Sequence, residues 1–231
     1  MPSKMGKRYA SDYTDEELRA EARELESAVT IPVNIQIQAD HRVFDLGEAE
    51  SLLRRAKKIV LQDCGCRTDK GNCDAPRHVC INLEPTEDYV KKFAKHNPHE
   101  ATLDEALKAL KKTHEAGLVH MAYTMKGDDH PTIICSCCPY CCHTLGRLLR
   151  YGIATQVLTS NYVAEQNPEK CVGAGRCVDR CVFGARELDN SELKHDKTKC
   201  FGCGLCLSTC PAHAITLVPR QQNPPRKPDF K

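Results

Sequence analysis

The chain of 231 residues contains no tryptophan, and aromatic residues make up only 5% of it. Little is left for stacking nucleic-acid bases. Net charge is also scarce. Thirty-three Lys and Arg against 31 Asp and Glu leave +2, so no bulk field marks a nucleic-acid partner. No run approaches the ~20 apolar residues of a membrane span. The opening M-P-S-K-M-G-K-R-Y-A-S-D-Y has no apolar core of a secretory signal. Hydrophobic residues at 41% and charged ones at 28% are ordinary for a folded protein. This length can bury a core in one or two domains.

Cysteine is what the chain has in excess: sixteen residues. A secreted disulfide scaffold does not fit an opening without a signal segment. The cysteines also gather at metal-ligand spacings. The expectation is a cytoplasmic protein of an oxygen-poor setting, whose thiols hold metal.

The most specific run is C-F-G-C-G-L-C-L-S-T-C-P, with Cys200, Cys203, Cys206 and Cys210 followed by Pro211. It follows the C-x2-C-x2-C-x3-C-P pattern of iron–sulfur ferredoxins. Three thiolates at spacings of three wrap one cubane, and the fourth serves a second cluster. Zinc sites usually take two separated C-x2-C pairs. Gly202 and Gly204 allow the tight turns such a run needs.

An internal repeat precedes this run. Offset by 29 residues, Cys171 aligns with Cys200, Cys177 with Cys206 and Cys181 with Cys210, while Ala174 stands opposite Cys203. Exchange of the last cysteine between runs then assigns one 4Fe–4S cluster to Cys200, Cys203, Cys206 and Cys181. The second set is Cys171, Cys177 and Cys210. Three outcomes are open there: a 3Fe–4S cluster, a 4Fe–4S cluster whose fourth iron takes another ligand, or an empty site. Cys181 is followed by Val182, where the pattern has proline.

Two further clusters lie upstream. The segment D-C-G-C-R-T-D-K-G-N-C-D-A-P-R-H-V-C supplies Cys64, Cys66, Cys73 and Cys80. With no interrupting helix expected, these four suit one cluster or one tetrahedral metal. Arg67, Arg77 and His78 can offset thiolate charge or be solvated loop charges. The segment I-I-C-S-C-C-P-Y-C-C-H supplies Cys135, Cys137, Cys138, Cys141 and Cys142. Five thiols in eight residues exceed what one site needs. A spare one could reach the site beside Ala174. The C-P-Y-C within it is also a glutaredoxin motif, though no repeated βαβ pattern surrounds it. In all, two to four clusters are expected. His114, His120, His130 and His143 are scattered and read as surface or core residues.

Along the chain, the capping box T-D-E-E at Thr14 predicts a helix reaching Ala28. Alternation predicts a strand over Val33–Ile37, with Val43 and Phe44 in a return strand. A helix is expected over 46–58, from Asp45 with Glu48, and a short strand over Ile59–Leu61. The cysteine-rich loop 64–80 follows. Helices are expected at 86–95 and 102–116, strands at 118–123 and 132–134, and a helix from His143. Asn167-Pro168 marks a boundary. The domains are thus 1–166, Cys-rich; 167–218, a dicluster module; and 219–231, an extended, basic, Pro-rich tail.

Together, I-P-V-N, C-G-C-R with N-C-D-A-P-R-H-V-C, E-A-G-L-V-H, C-S-C-C-P-Y-C-C, S-N-Y-V-A-E and the final run resemble a family of multi-cluster 4Fe–4S ferredoxin-domain proteins of anaerobic archaea and bacteria. The resemblance covers about residues 30–218. It implies a Cys-rich N-terminal region joined to a C-terminal dicluster ferredoxin. Members often carry a full first run where this chain has Ala174.

The fold class expected is α+β: a small α/β Cys-rich domain followed by a ferredoxin-like one. The function expected is electron transfer through several clusters, as a subunit or dedicated partner of a larger oxidoreductase. Two other readings stay open. One is an enzyme in which an incompletely ligated cluster or the 135–142 knot binds and reduces a substrate. The other is a zinc-stabilised interaction module. No nucleic acid or membrane partner is expected.

Overall fold

The computed structural model describes residues 14, 16–17, 20, 25–30, 47–125, 128–151, 157–190 and 192–220. At the start, the Thr14 backbone N–H donates to Glu17 Oε2 (2.7 Å), and the Glu17 N–H donates to Thr14 Oγ1 (3.2 Å). The expected capping box is present. The helix does not reach Ala28, however. Residues Leu25–Thr30 form β1, which pairs antiparallel with Val119–Met125 and parallel with Val157–Leu158. Sheet pairing overrides local helical preference there. The strands expected at Val33–Ile37 and at Val43–Phe44, and the cap at Asp45, lie outside the described residues.

Helix α1 (Gly47–Arg55) leads into β2 (Ile59–Asp63). The segment expected as a loop over 64–80 is largely ordered. Helix α2 (Gly65–Lys70) opens it and β3 (His78–Leu83) closes it. Gly71 ends α2 with φ +61, and its N–H bonds the Arg67 carbonyl, the glycine C-terminal device of a short helix. Helix α3 (Glu87–Lys92) and a 3-10 turn over Ala94–His96 precede the short β4 (His99–Glu100). Helix α4 (Leu103–Glu115) starts with the full reciprocal capping box of Thr102 and Glu105. Next come β5 (Val119–Met125), β6 (Ile133–Cys137), α5 (His143–Tyr151) and β7 (Val157–Leu158).

These seven strands form one sheet in the order β4–β2–β3–β6–β5–β1–β7. Every pairing is antiparallel except β1 with β7. C-P-Y-C therefore follows a strand flanked by antiparallel neighbours, and the parallel βαβ setting of a thioredoxin-like motif does not surround it.

Side chains alternate between the two sheet faces. On one face Ile59, Leu61, Val79, Ile81, Leu83, Ala122 and Ile134 pack on α1 and α4 through Ala49, Leu53, Ala106 and Leu110. The opposite face carries Cys80, Cys135, Cys137, Met121 and Tyr123. This second face is covered by Leu145 and Leu148 of α5 and by Phe183, Phe201 and Leu205 from the C-terminal part. Both faces are thus buried, and cysteines occupy the second one.

The C-terminal part is closed by β8 (Tyr162–Gln166) pairing antiparallel with β11 (Ile215–Pro219). This pair joins residues on both sides of the 166/167 division expected from Asn167-Pro168. Between them lie α6 (Arg176–Arg180) and the hairpin β9 (Arg186–Asp189) and β10 (Glu192–His195). Pro219 belongs to β11, and Arg220 Nε donates to the Ser160 carbonyl (2.9 Å), so the tail expected from 219 begins in ordered structure. Residues 221–231 lie outside the described residues. No described helix is long and apolar enough to cross a membrane.

Candidate metal centres

The final cysteine run surrounds a hollow lined by Cys181, Cys200, Cys203 and Cys206, with Arg186, His195, Phe201, Gly202 and Gly204. These are the four thiols that the repeat assigns to one set. Gly202 has φ +69, and a Cβ there would lie 2.1 Å from the Tyr162 carbonyl oxygen and 2.2 Å from Ser160 Oγ. No side chain can be accommodated. Ser160 fastens the turn: its N–H donates to the Phe201 carbonyl (3.0 Å) and its hydroxyl donates to the Gly202 carbonyl (3.0 Å). Arg220 adds a bond to the Cys200 carbonyl.

This hollow suits an anionic cluster. Arg186 is 5% exposed, its Nη1 and Nη2 meet no hydrogen-bonding oxygen or nitrogen among the described residues, and its guanidinium faces the Cys206 thiol. A buried cation with unmet donors is costly unless negative charge stands beside it. Burial pushes the Cys206 thiol up to about 11, although Arg186 pulls the other way. Burial also drives Cys203 well up. Without metal these sulfurs stay protonated, so metal loading must release protons.

Cys171, Cys177 and Cys210 line a second hollow with Gly173, Ala174, Gly175, Leu188 and Pro211. No fourth cysteine lines it. The spare thiol suggested for the 135–142 knot does not reach this place: Cys135, Cys137 and Cys142 line a different cavity, and Cys138 and Cys141 are buried with Cys73.

Upstream, the structure regroups the nine cysteines. They do not divide by sequence segment into 64–80 and 135–142. Each Cys-Cys pair of C-C-P-Y-C-C splits instead. Cys138 and Cys141 turn towards Cys73, with Cys73 Sγ 3.6 Å from each. Cys137 and Cys142 turn the other way, into a cavity of about 230 Å³ shared with Cys64, Cys66, Cys135, Tyr123 and His143. There Cys66 neighbours Cys64 and Cys142, Cys137 neighbours Cys135 and Cys142, and Cys135 neighbours Cys80. The sheet explains the last contact. Ile81 pairs with Ile134 and Asn82 with Ile133, so Cys80 and Cys135 sit opposite on adjacent strands.

The cavity is tuned by polar neighbours. Tyr123 Oη lies 3.5 Å from Cys137 Sγ and 3.8 Å from Cys142 Sγ. Hydrogen bonds from Cys135, Cys142 and Tyr123 bring the Cys137 thiol down to about 6, against its burial. Its neighbour Cys66 is raised to about 12, first through Cys142 and then through burial. His143 Nδ1 is 3.3 Å from Cys66 Sγ. His143, expected as a surface or core residue, thus borders the thiols, and no local motif marks Tyr123.

Between the two upstream groups sits Arg67, 1% exposed. Its Nη1 donates to the Ser136 carbonyl (2.7 Å), while Nε and Nη2 have no hydrogen-bond partner among the described residues. Burial would lower its pKa, but Cys64, Cys138, Cys137 and Cys73 hold the guanidinium charged. Arg77 and His78 are exposed. His78 bonds Asp63 (2.7 Å) and His99 (3.2 Å), so the charge-balancing role expected of three residues falls to Arg67.

Of the other histidines, His114 and His120 stack with ring centroids 6.1 Å apart. Both are buried, and burial lowers them to about 4 and about 3. His114 Nε2 lies 2.8 Å from Ser208 Oγ, tying α4 to the final cysteine run. His130 is exposed beside Asp129.

No curated protein matches the chain. Residues 193–216, which include Cys200, Cys203, Cys206 and Cys210, match the family of 4Fe-4S binding domains. This match and the chain's many cysteines support an iron–sulfur protein with an electron-transfer role.

Proposed function

We propose that this protein is one of the multi-cluster ferredoxin-domain kind and relays electrons between clusters in its two halves, as a subunit or dedicated partner of a larger oxidoreductase. Each half receives one terminus of the path: the 4Fe–4S set of Cys181, Cys200, Cys203 and Cys206, and a cluster in the cavity of Cys64, Cys66, Cys137 and Cys142. One observation carries this reading. A single buried core contains Cys137 and Cys142 from upstream and Phe183, Phe201 and Leu205 from the C-terminal part, with Cys135, Cys181 and Cys203 packed on it. Phe183 and Phe201 stack at 4.1 Å within that core. Sulfur ligands of both halves therefore border one continuous, water-poor medium. Cluster type, hydrogen bonds to sulfur and burial then set the potentials.

The enzyme reading is weaker on magnitude. Small-molecule pockets run to about 300–1,000 Å³, and the thiol-lined cavity is about 230 Å³. A cluster seated there leaves little room for substrate.

The test is to count iron and acid-labile sulfide in anaerobically purified full-length protein. The relay predicts about four iron more in the wild type than in a variant carrying Cys66→Ser with Cys142→Ser. Equal iron in the two would confine electron transfer to the C-terminal half.

A further inference from the structure

The three thiols of Cys73, Cys138 and Cys141 stand apart from all the others. Their sulfur atoms lie within 4.8 Å of one another, and no other group of cysteines, histidines or carboxylates among the described residues is so tight. Cys73 Sγ is 3.6 Å from both partners. A tetrahedral zinc with Zn–S bonds of about 2.3 Å holds its sulfurs roughly 3.8 Å apart. A cubane binds each thiolate on a separate iron and spreads them further. The molecule offers its own comparison. Cys200, Cys203 and Cys206, inside the matched 4Fe–4S domain, are not grouped this closely among the described residues.

We infer that Cys73, Cys138 and Cys141 hold one mononuclear zinc ion, bound by three thiolates and completed by one water enclosed with it. The site is closed to solvent: the three residues are 1%, 0% and 0% exposed. The Cys141 N–H already donates to Cys138 Sγ (3.1 Å), the kind of contact that orients a metal-bound thiolate. Asn72 Nδ2 donates to the Tyr140 carbonyl (3.1 Å) and joins the two segments. Charge balances as well. Three thiolates and Zn²⁺ leave −1, and Arg67 beside Cys73 and Cys138 supplies +1 from a buried guanidinium with unmet donors.

The role is a staple. Zinc has no redox chemistry, so this ion carries no electrons. It joins the segment after α2 to the turn between β6 and α5, sites 65 and 68 residues apart in sequence. Cys137 and Cys142 adjoin Cys138 and Cys141 in the chain, so the staple aims them into the neighbouring cavity. This inference stands apart from the relay, because zinc content and iron content are separate measurements.

The test uses the full chain, produced with both iron and zinc supplied and purified without oxygen. Elemental analysis should find about one zinc per chain. X-ray absorption at the zinc edge should show a sulfur-dominated shell near 2.3 Å with no iron neighbour. The paired substitution Cys138→Ser with Cys141→Ser should lose that zinc while the C-terminal 4Fe–4S EPR signal persists. If the variant does not fold, the absorption spectrum of the wild type decides alone. Absence of zinc, iron in its place, or a Cys138–Cys141 disulfide in the protein as isolated would each overturn the assignment.

Discussion

The two halves gather their thiols in opposite ways. In the C-terminal half, Cys171 to Cys210 come from forty consecutive positions, and turns at Gly173, Gly175, Gly202 and Gly204, all at positive φ, fold them around two hollows. In the upstream half, partners such as Cys80 and Cys135, Cys73 and Cys138, or Cys66 and His143 are 55 to 77 residues apart. A seven-stranded sheet brings them together. A local motif can be lifted into many proteins; a site assembled by a sheet exists only when the whole domain is folded. The local half should therefore fail through its backbone, and the assembled half through its packing and charge.

The largest effect is expected at Gly202. Gly202→Ala drives a methyl into the Tyr162 carbonyl and should cost more than about 4 kcal/mol, the range of exceptional substitutions, with loss of the C-terminal cluster signal. Gly71→Ala is the control. Gly71 also has positive φ, +61, but nothing lies within 4 Å of an added Cβ, so only the left-handed strain of about 1–2 kcal/mol applies. Anaerobic thermal unfolding and EPR measure both. Equal costs would mean that close approach to Tyr162 plays no part.

Next in size is Arg67→Met. It leaves the thiolates of both upstream groups without their buried counter-charge, a loss on the order of 3–5 kcal/mol. Zinc and iron should both fall upstream, while the C-terminal 4Fe–4S signal stays. Unchanged metal content would break the claim that one cation serves two sites.

The seam between the halves should respond to acid. His114 and His120 are held neutral, at about 4 and about 3, by burial. An unfolded histidine titrates near 6.5, so unfolding takes up protons below that pH. Stability from these residues is whole above pH 6.5 and falls as pH drops towards 3–4, by about 1.4 kcal/mol per pH unit for each histidine. Urea titrations of the wild type and of His120→Gln at pH 5 and pH 7 measure the difference. An identical pH slope in the variant would remove His120 from the account.

The smallest change in stability belongs to Ala174→Cys, which adds a thiol to the hollow of Cys171, Cys177 and Cys210. An oxidised 3Fe–4S EPR signal, if that cluster is the one held there, should give way to a reducible 4Fe–4S signal. No change in any cluster signal would show that position 174 does not face the site.

The same contrast explains what could be read without coordinates. The grouping of thiols in the C-terminal half was legible from spacing, since Cys181 lines one hollow with Cys200, Cys203 and Cys206. The capping boxes at Thr14 and Thr102 are equally local. Upstream, spacing misled. It grouped Cys64 with Cys66, Cys73 and Cys80, whereas α2 and β3 send Cys73 to one site and Cys64 and Cys66 to another. The strand expected to end at Ile134 runs on to Cys137, and its alternation puts Cys135 and Cys137 on one face. Which strand lies beside β6 depends on long-range pairing, and no local signal carries that. The roles of Tyr123 and His143 were hidden for the same reason, as was the choice of Arg67 over Arg77 and His78 as the buried counter-charge. Strand β1 arose where helical propensity was read, because β5 and β7 pair with it.

The central claim is that clusters in both halves share one electron path through the core of Cys137, Cys142, Phe183 and Phe201. EPR spectroscopy of the fully reduced, full-length protein tests it most directly. The account predicts a spectrum broadened by magnetic interaction between upstream and C-terminal clusters, which simplifies when Cys203→Ser damages the C-terminal one. A reduced spectrum that is the plain sum of non-interacting centres, or that shows no upstream cluster, would contradict it.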